Sequence, residues 1–151
     1  MEIRRGAVVL AALVLAACGT GSQQPSAAEW PAGAKVVIRQ LRADVLEVAG
    51  ADRVPAARRA LRDDSELYGL LVAFSDVGGC SHMVASLGTH PPQLESAEHL
   101  LAGACLRLQR AATWFTTAAT RDDARALVTA ARDALAALPL LDRAALALSA
   151  S

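Results

Sequence analysis

The sequence predicts an all-α fold, an antiparallel four-helix bundle, from three observations on its 151 residues. Apolar residues recur at spacings of three and four in four successive stretches, which gathers them on one side of a helix. The third and fourth stretches carry seams that repeat every seventh residue: Leu94, Leu101, Leu108 and Phe115 in one, Leu127, Ala134, Leu141 and Leu148 in the other. Helix-start and helix-stop residues fall between the stretches and the connections are short, so neighbouring helices turn back on one another.

The first helix follows Ala34. Val37, Ile38, Leu41, Val45 and Val48 form its apolar face, and Gly50 supplies the stop. Its opening VVIRQL is rich in β-branched residues, and only the continued helical spacing separates it from a strand. A connection containing Pro55 leads to DDSEL, in which Asp63 is placed to cap a second helix and Glu66 stands three residues on. Leu67, Leu70, Leu71, Phe74 and Val77 are expected on its buried face. The third helix begins near Thr89-His90-Pro91-Pro92, because proline is accepted only in a first turn. Ala97, Ala104, Ala111 and Ala118 run beside its leucine seam, and such alanine columns imply close approach of helices. Thr120 and Asp123 have capping-box spacing and open the fourth helix, which Pro139 is expected to kink or split.

The N-terminus is of another kind. MEIRR is basic, Ala7 to Ala17 is a short apolar run, and small residues precede Cys18. These are the parts of an export signal, and the run is too short to span a bilayer. Leu15-Ala16-Ala17-Cys18 resembles the lipobox of bacterial lipoproteins, a resemblance confined to about the first twenty residues. It implies that residues 1–17 are a lipoprotein signal peptide that is removed, and that Cys18 becomes the first residue. It also implies that the Cys18 sulfur carries diacylglycerol, with palmitate among the acyl chains. Two or three chains, at about 0.8 kcal/mol per buried methylene, hold a protein stably on a membrane. The partner so implied is membrane lipid, and the localisation is the outer face of the cell membrane. The alternative is an ordinary export signal cut near Ala17.

Basic and acidic residues balance at 15 each, and loss of Glu2, Arg4 and Arg5 with the signal leaves the exported part near neutral. No nucleic-acid partner is expected of such a charge balance. Lysine occurs only at Lys35 while arginine and alanine abound, a skew that looks like a high-GC, actinobacterial genome. Residues 18–33 are rich in glycine, serine, glutamine, proline and alanine without an apolar period, and read as a lipidated flexible tether. Its ends would lie roughly 20 Å apart as a coil and about 50 Å apart when stretched. Trp30, beside Pro31, is expected to pack on the domain rather than at the lipid interface. Residues 34–151 then form one helical bundle domain.

The stretch GGCSHM, residues 78–83, admits a metal site, a redox site or a staple. With Cys18 lipidated, Cys80 and Cys105 remain as an even pair in an oxidising compartment, where disulfides persist. Cys105 lies beside the leucine seam and Cys80 follows Val77 on the buried side of the second helix, so the bundle reads as disulfide-stapled. An ideal hairpin turning at Thr89 and His90 would set Cys80 level with residue 99. That leaves Cys105 about 9 Å too far along, against a Cα tolerance of about 7 Å. Three devices would close the gap: an extended segment before a third helix starting near Ser96, a steep crossing, or a break at Gly78 and Gly79.

The weak metal candidates are His82 and His99, which the same hairpin would set level, with Met83 as a soft extra ligand. His90 would sit at the turn, about 12 Å away. Two imidazoles do not close a zinc site and no Glu-x-x-His spacing supplies the rest, so the sequence predicts no metal and no cofactor. It also has no Gly-x-Ser-x-Gly elbow and no glycine-rich phosphate loop. The Asp63–Asp64 and Asp122–Asp123 pairs stand at helix starts, where carboxylates complement the dipole. The chain is therefore expected to be no enzyme but an interaction or structural module, meeting an envelope protein or an anionic surface through arginines such as Arg58, Arg59 and Arg62. The alternative is a binder of a small apolar ligand, which needs a cavity that an alanine-rich core disfavours.

Overall fold

The computed structural model describes residues 26–150, and the expected signal peptide, the lipobox, Cys18 and the tether up to residue 25 lie outside them. Within the described residues the chain is all-helical, without a strand. The α-helices are α1 Trp30–Val48, α2 Val54–Ala60, α3 Asp64–Gly78, α4 Cys80–Ala85, α5 Glu95–Arg121, α6 Ala124–Leu135 and α7 Leu138–Ala147. Single 3-10 turns occupy Ala49–Ala51 and Pro92–Leu94. No helix among the described residues is long and apolar enough to cross a membrane.

Helix α1 begins at Trp30, so residues 30–33, read from composition as tether, are its first turn. Pro31 suits that position because its fixed φ is helical and its missing N–H would have found no intrahelical partner. Trp30 is 1% exposed and meets the His90 ring edge-on at 5.9 Å. Just before it, Ser26 donates to the Glu29 carboxylate through both its backbone N–H and its hydroxyl, so the chain enters the helix through an ordered turn.

Asp63 caps α3 as expected, accepting from the N–H groups of Ser65 and Glu66 at 3.0 and 2.9 Å. The buried stripe of α3 is Leu70, Ala73, Phe74 and Val77, whereas Leu71 is 52% exposed. One residue is about 100° of helix, which carries Leu71 off the stripe that its neighbour Leu70 occupies.

The segment from Thr89 to Pro91 is not helical, and α5 starts at Glu95 after the Pro92–Leu94 turn. Gly88, at φ 76°, makes the bend before it, a conformation that favours glycine. Helix α5 then runs 27 residues and buries Ala97, Leu101, Ala104, Cys105, Leu108, Ala111, Phe115 and Ala118. Its end differs from expectation. Thr120 does not cap the next helix: its hydroxyl donates back to the Thr116 carbonyl at 2.8 Å, inside α5. Asp122, left-handed at φ 50°, closes α5, and only the following Asp123 has the extended backbone a cap needs. Asp123 accepts from the N–H groups of Arg125 and Ala126 at 2.9 and 3.2 Å. Pro139 splits the last expected helix into α6 and α7 and sits in the first turn of α7.

Helix α5 is the central element and packs most extensively on α6, α7 and α3. Phe74 of α3 stacks on Phe115 with centroids 4.6 Å apart. Arg110 of α5 grips Asp133 of α6 with two parallel bonds at 2.7 and 3.1 Å, a planar fork on a carboxylate. A Cβ built on Gly78 would lie 3.0 Å from the Ala112 Cβ, so a glycine here lets α3 approach α5 closely.

Candidate functional site

The GGCSHM stretch straddles the junction of α3 and α4. Gly79 interrupts the helix, and Cys80 opens α4 pointing into the core. Cys80 and Cys105 meet at disulfide-bonding distance, with Cα atoms 5.2 Å apart. Two devices close the gap left by the ideal hairpin: the break at Gly79, and an α5 that starts only at Glu95 after an extended segment. Both sulfurs lie in apolar surroundings, at residues 0% and 1% exposed.

The histidines stand in different settings. His82 is exposed on α4, and Met83 beside it leans on the core. His90 is half-buried against Trp30, with Nδ1 3.0 Å from the Pro91 carbonyl. His99 is exposed on α5, within 4.0 Å of Glu95 and 3.8 Å of Glu98. Among the described residues no group of three or more His, Cys, Asp or Glu converges in a way that would hold a metal ion.

The sequence reading missed Asp44, the one buried charged residue among the described residues, at 6% exposed. It occupies the apolar seam of α1 between Leu41 and Val48, a position that would have flagged it. Gln40 donates to its Oδ1 at 2.9 Å, while Oδ2 has no hydrogen-bond partner. Burial pushes its pKa above the ordinary value; the Gln40 bond opposes that, and repulsion from Asp76 and Glu47 adds to it. With the folded-state pKa raised, the Asp44 contribution to stability is fully present below its unfolded pKa and is lost as pH rises through the folded value. Asp44→Asn is therefore expected to stabilise the fold by about 1 kcal/mol at neutral pH. Melting curves at several pH values check this: the gain should shrink towards acid pH, and a destabilised variant at neutral pH would contradict it.

Among the surface clefts of the described residues, three flank α1 or α3. One of about 340 Å³ lies between the end of α1, α2 and the start of α3; Glu47, Arg59 and Glu66 line it, and Arg59 reaches Glu66 at 3.5 Å. Its neighbours Arg58 and Arg62 are exposed. A second, of about 420 Å³, runs between α3 and α5 over Leu71, Phe74, Phe115 and Thr116 and has no charged lining residue. The largest of the three, about 510 Å³, lies between α1 and α7 and is lined by Lys35, Ile38, Arg39, Arg42, Ala145 and Ser149. Arg42 pairs with Asp142 across it. Lys35 and Arg39 have no ion-pair partner among the described residues.

No protein-family model matches the chain, and comparison with curated proteins and with solved structures likewise found no match.

Proposed function

We propose that the chain is an envelope lipoprotein, exported, acylated on Cys18 and held on the outer face of the cell membrane as a non-enzymatic interaction or structural module. The observation that carries this reading is the sequence Leu15-Ala16-Ala17-Cys18 after a basic start and a short apolar run. Cys18 stands twelve residues before Trp30, where the helical domain opens. In this reading the helices form four limbs, α1, α3 with α4, α5, and α6 with α7, running antiparallel with the Cys80–Cys105 staple between the second and third. Against a binder of a small apolar ligand stands the core: Ala97, Ala104, Ala111, Ala118, Ala130, Ala131 and Ala134 are all 0% exposed, which favours helices packed closely over helices parted by a cavity. The sulfur of Cys18 is the acyl acceptor, so Cys18→Ala is expected to leave the uncut precursor without a lipid adduct. Immunoblots of fractionated cells check this, and normal processing of the variant would overturn the reading.

A further inference from the structure

The α1–α7 groove combines an apolar floor with a cationic rim on its α1 side. Ile38, 3% exposed, and Ala145 form the floor, while Lys35, Arg39 and Arg42 stand along one side of α1 at spacings of four and three. Asp142 neutralises one of the three through Arg42, which leaves two unpaired cations among the described residues. Leu46, 60% exposed, continues the same stripe four residues after Arg42, and Val36, 55% exposed, borders it. Cations interleaved with exposed aliphatic side chains along a helix are the composition that settles at a bilayer interface, with the charges at the phosphates and the aliphatic groups among the upper acyl carbons.

We infer that this face of α1 docks on the anionic head-group layer of a lipid bilayer, with Lys35 and Arg39 contacting lipid phosphates. Charge complementarity selects the occupant, because each unpaired cation next to anionic lipid adds its own attraction. The place of the stripe in the chain agrees. Lys35 stands only five residues into α1, about 8 Å from its start, and the twelve residues from Cys18 to Trp30 reach at most about 40 Å. The stripe would therefore be held near the membrane at high effective concentration, a point that rests on the proposed anchor. The α3–α5 groove is as apolar but has no charge to choose a ligand.

The test separates the groove from the anchor. The mature chain from residue 18, with Cys18→Ser so that no acyl chain assists, is sedimented with vesicles of phosphatidylcholine alone or mixed with phosphatidylglycerol. Binding to the anionic vesicles and not to the neutral ones is expected, weakening with added salt. Lys35→Ala with Arg39→Ala should lower the partition about thirtyfold, taking roughly one kcal/mol per cation as the surface attraction. Arg107→Ala with Arg121→Ala, which removes the same charge from exposed positions on α5, should leave it nearly unchanged. Equal binding to both vesicle types, or an equal loss from the two double variants, would overturn the proposal. So would one-to-one saturation by monomeric lysophosphatidylglycerol without vesicle binding, which would make the groove a pocket for a single lipid. None of these outcomes bears on Cys18, so failure of the groove and failure of the anchor are told apart.

Discussion

Cys80→Ser is expected to destabilise the fold by about 3.5 kcal/mol, the loop-closure entropy of a crosslink spanning 25 residues. On a domain of this size that lowers the melting temperature by roughly 10–15 °C. Cys105→Ser and the double replacement should each cost about as much as Cys80→Ser, because one crosslink can be lost only once. Both residues are buried, so serine also places a hydroxyl in apolar surroundings, and the paired alanine variant isolates the crosslink from that penalty. The unaltered mature protein should contain no free thiol after denaturation. Two free thiols, or losses that add between the single variants, would show that the cysteines act separately.

Leu108→Ala should cost about 4 kcal/mol, towards the upper part of the range for a buried leucine. Leu108 is 0% exposed at the middle of α5, and the buried side chains flanking it on the same helix include Ala104, Cys105 and Ala111. Alanines have no rotamers with which to lean into a void, so the cavity left behind stays nearly as large as the deleted side chain. Leu106→Ala, two residues away but 68% exposed, should change stability by less than about 0.5 kcal/mol. Chemical denaturation of the two variants reads the difference directly, and similar losses would contradict the register of α5.

That register was legible in the sequence because leucine and alanine repeat every seven residues over four turns and more, and such a signal averages out local exceptions. Asp63 was equally legible, since its cap depends only on residues up to Glu66. Trp30 was not. Glycine, proline and alanine around it imitate a linker, although the seam Leu41, Ile38, Ala34 extended back by one more turn lands on it. Thr120 misled for a local reason: the capping-box spacing is present, but the left-handed Asp122 moves the boundary between helices past it. Leu71 misled because the stripe of α3 centres on Leu70, Phe74 and Val77, about 100° of helix away from it. The groove between α1 and α7 was beyond reach, since it joins residues about a hundred positions apart, as the Arg42–Asp142 pair shows. The buried pair Cys80 and Cys105 was found by counting cysteines, while how they meet depended on the helix break at Gly79.

The central claim is that a lipid on Cys18 ties this helical domain to a membrane. The intact mass of the protein extracted by detergent from the membranes of its own cells tests it most directly. The account predicts the mass of residues 18–151 plus a diacylglyceryl group, with or without a further acyl chain. A mature protein that begins at any other residue, or one that begins at Cys18 without a lipid adduct, would contradict it.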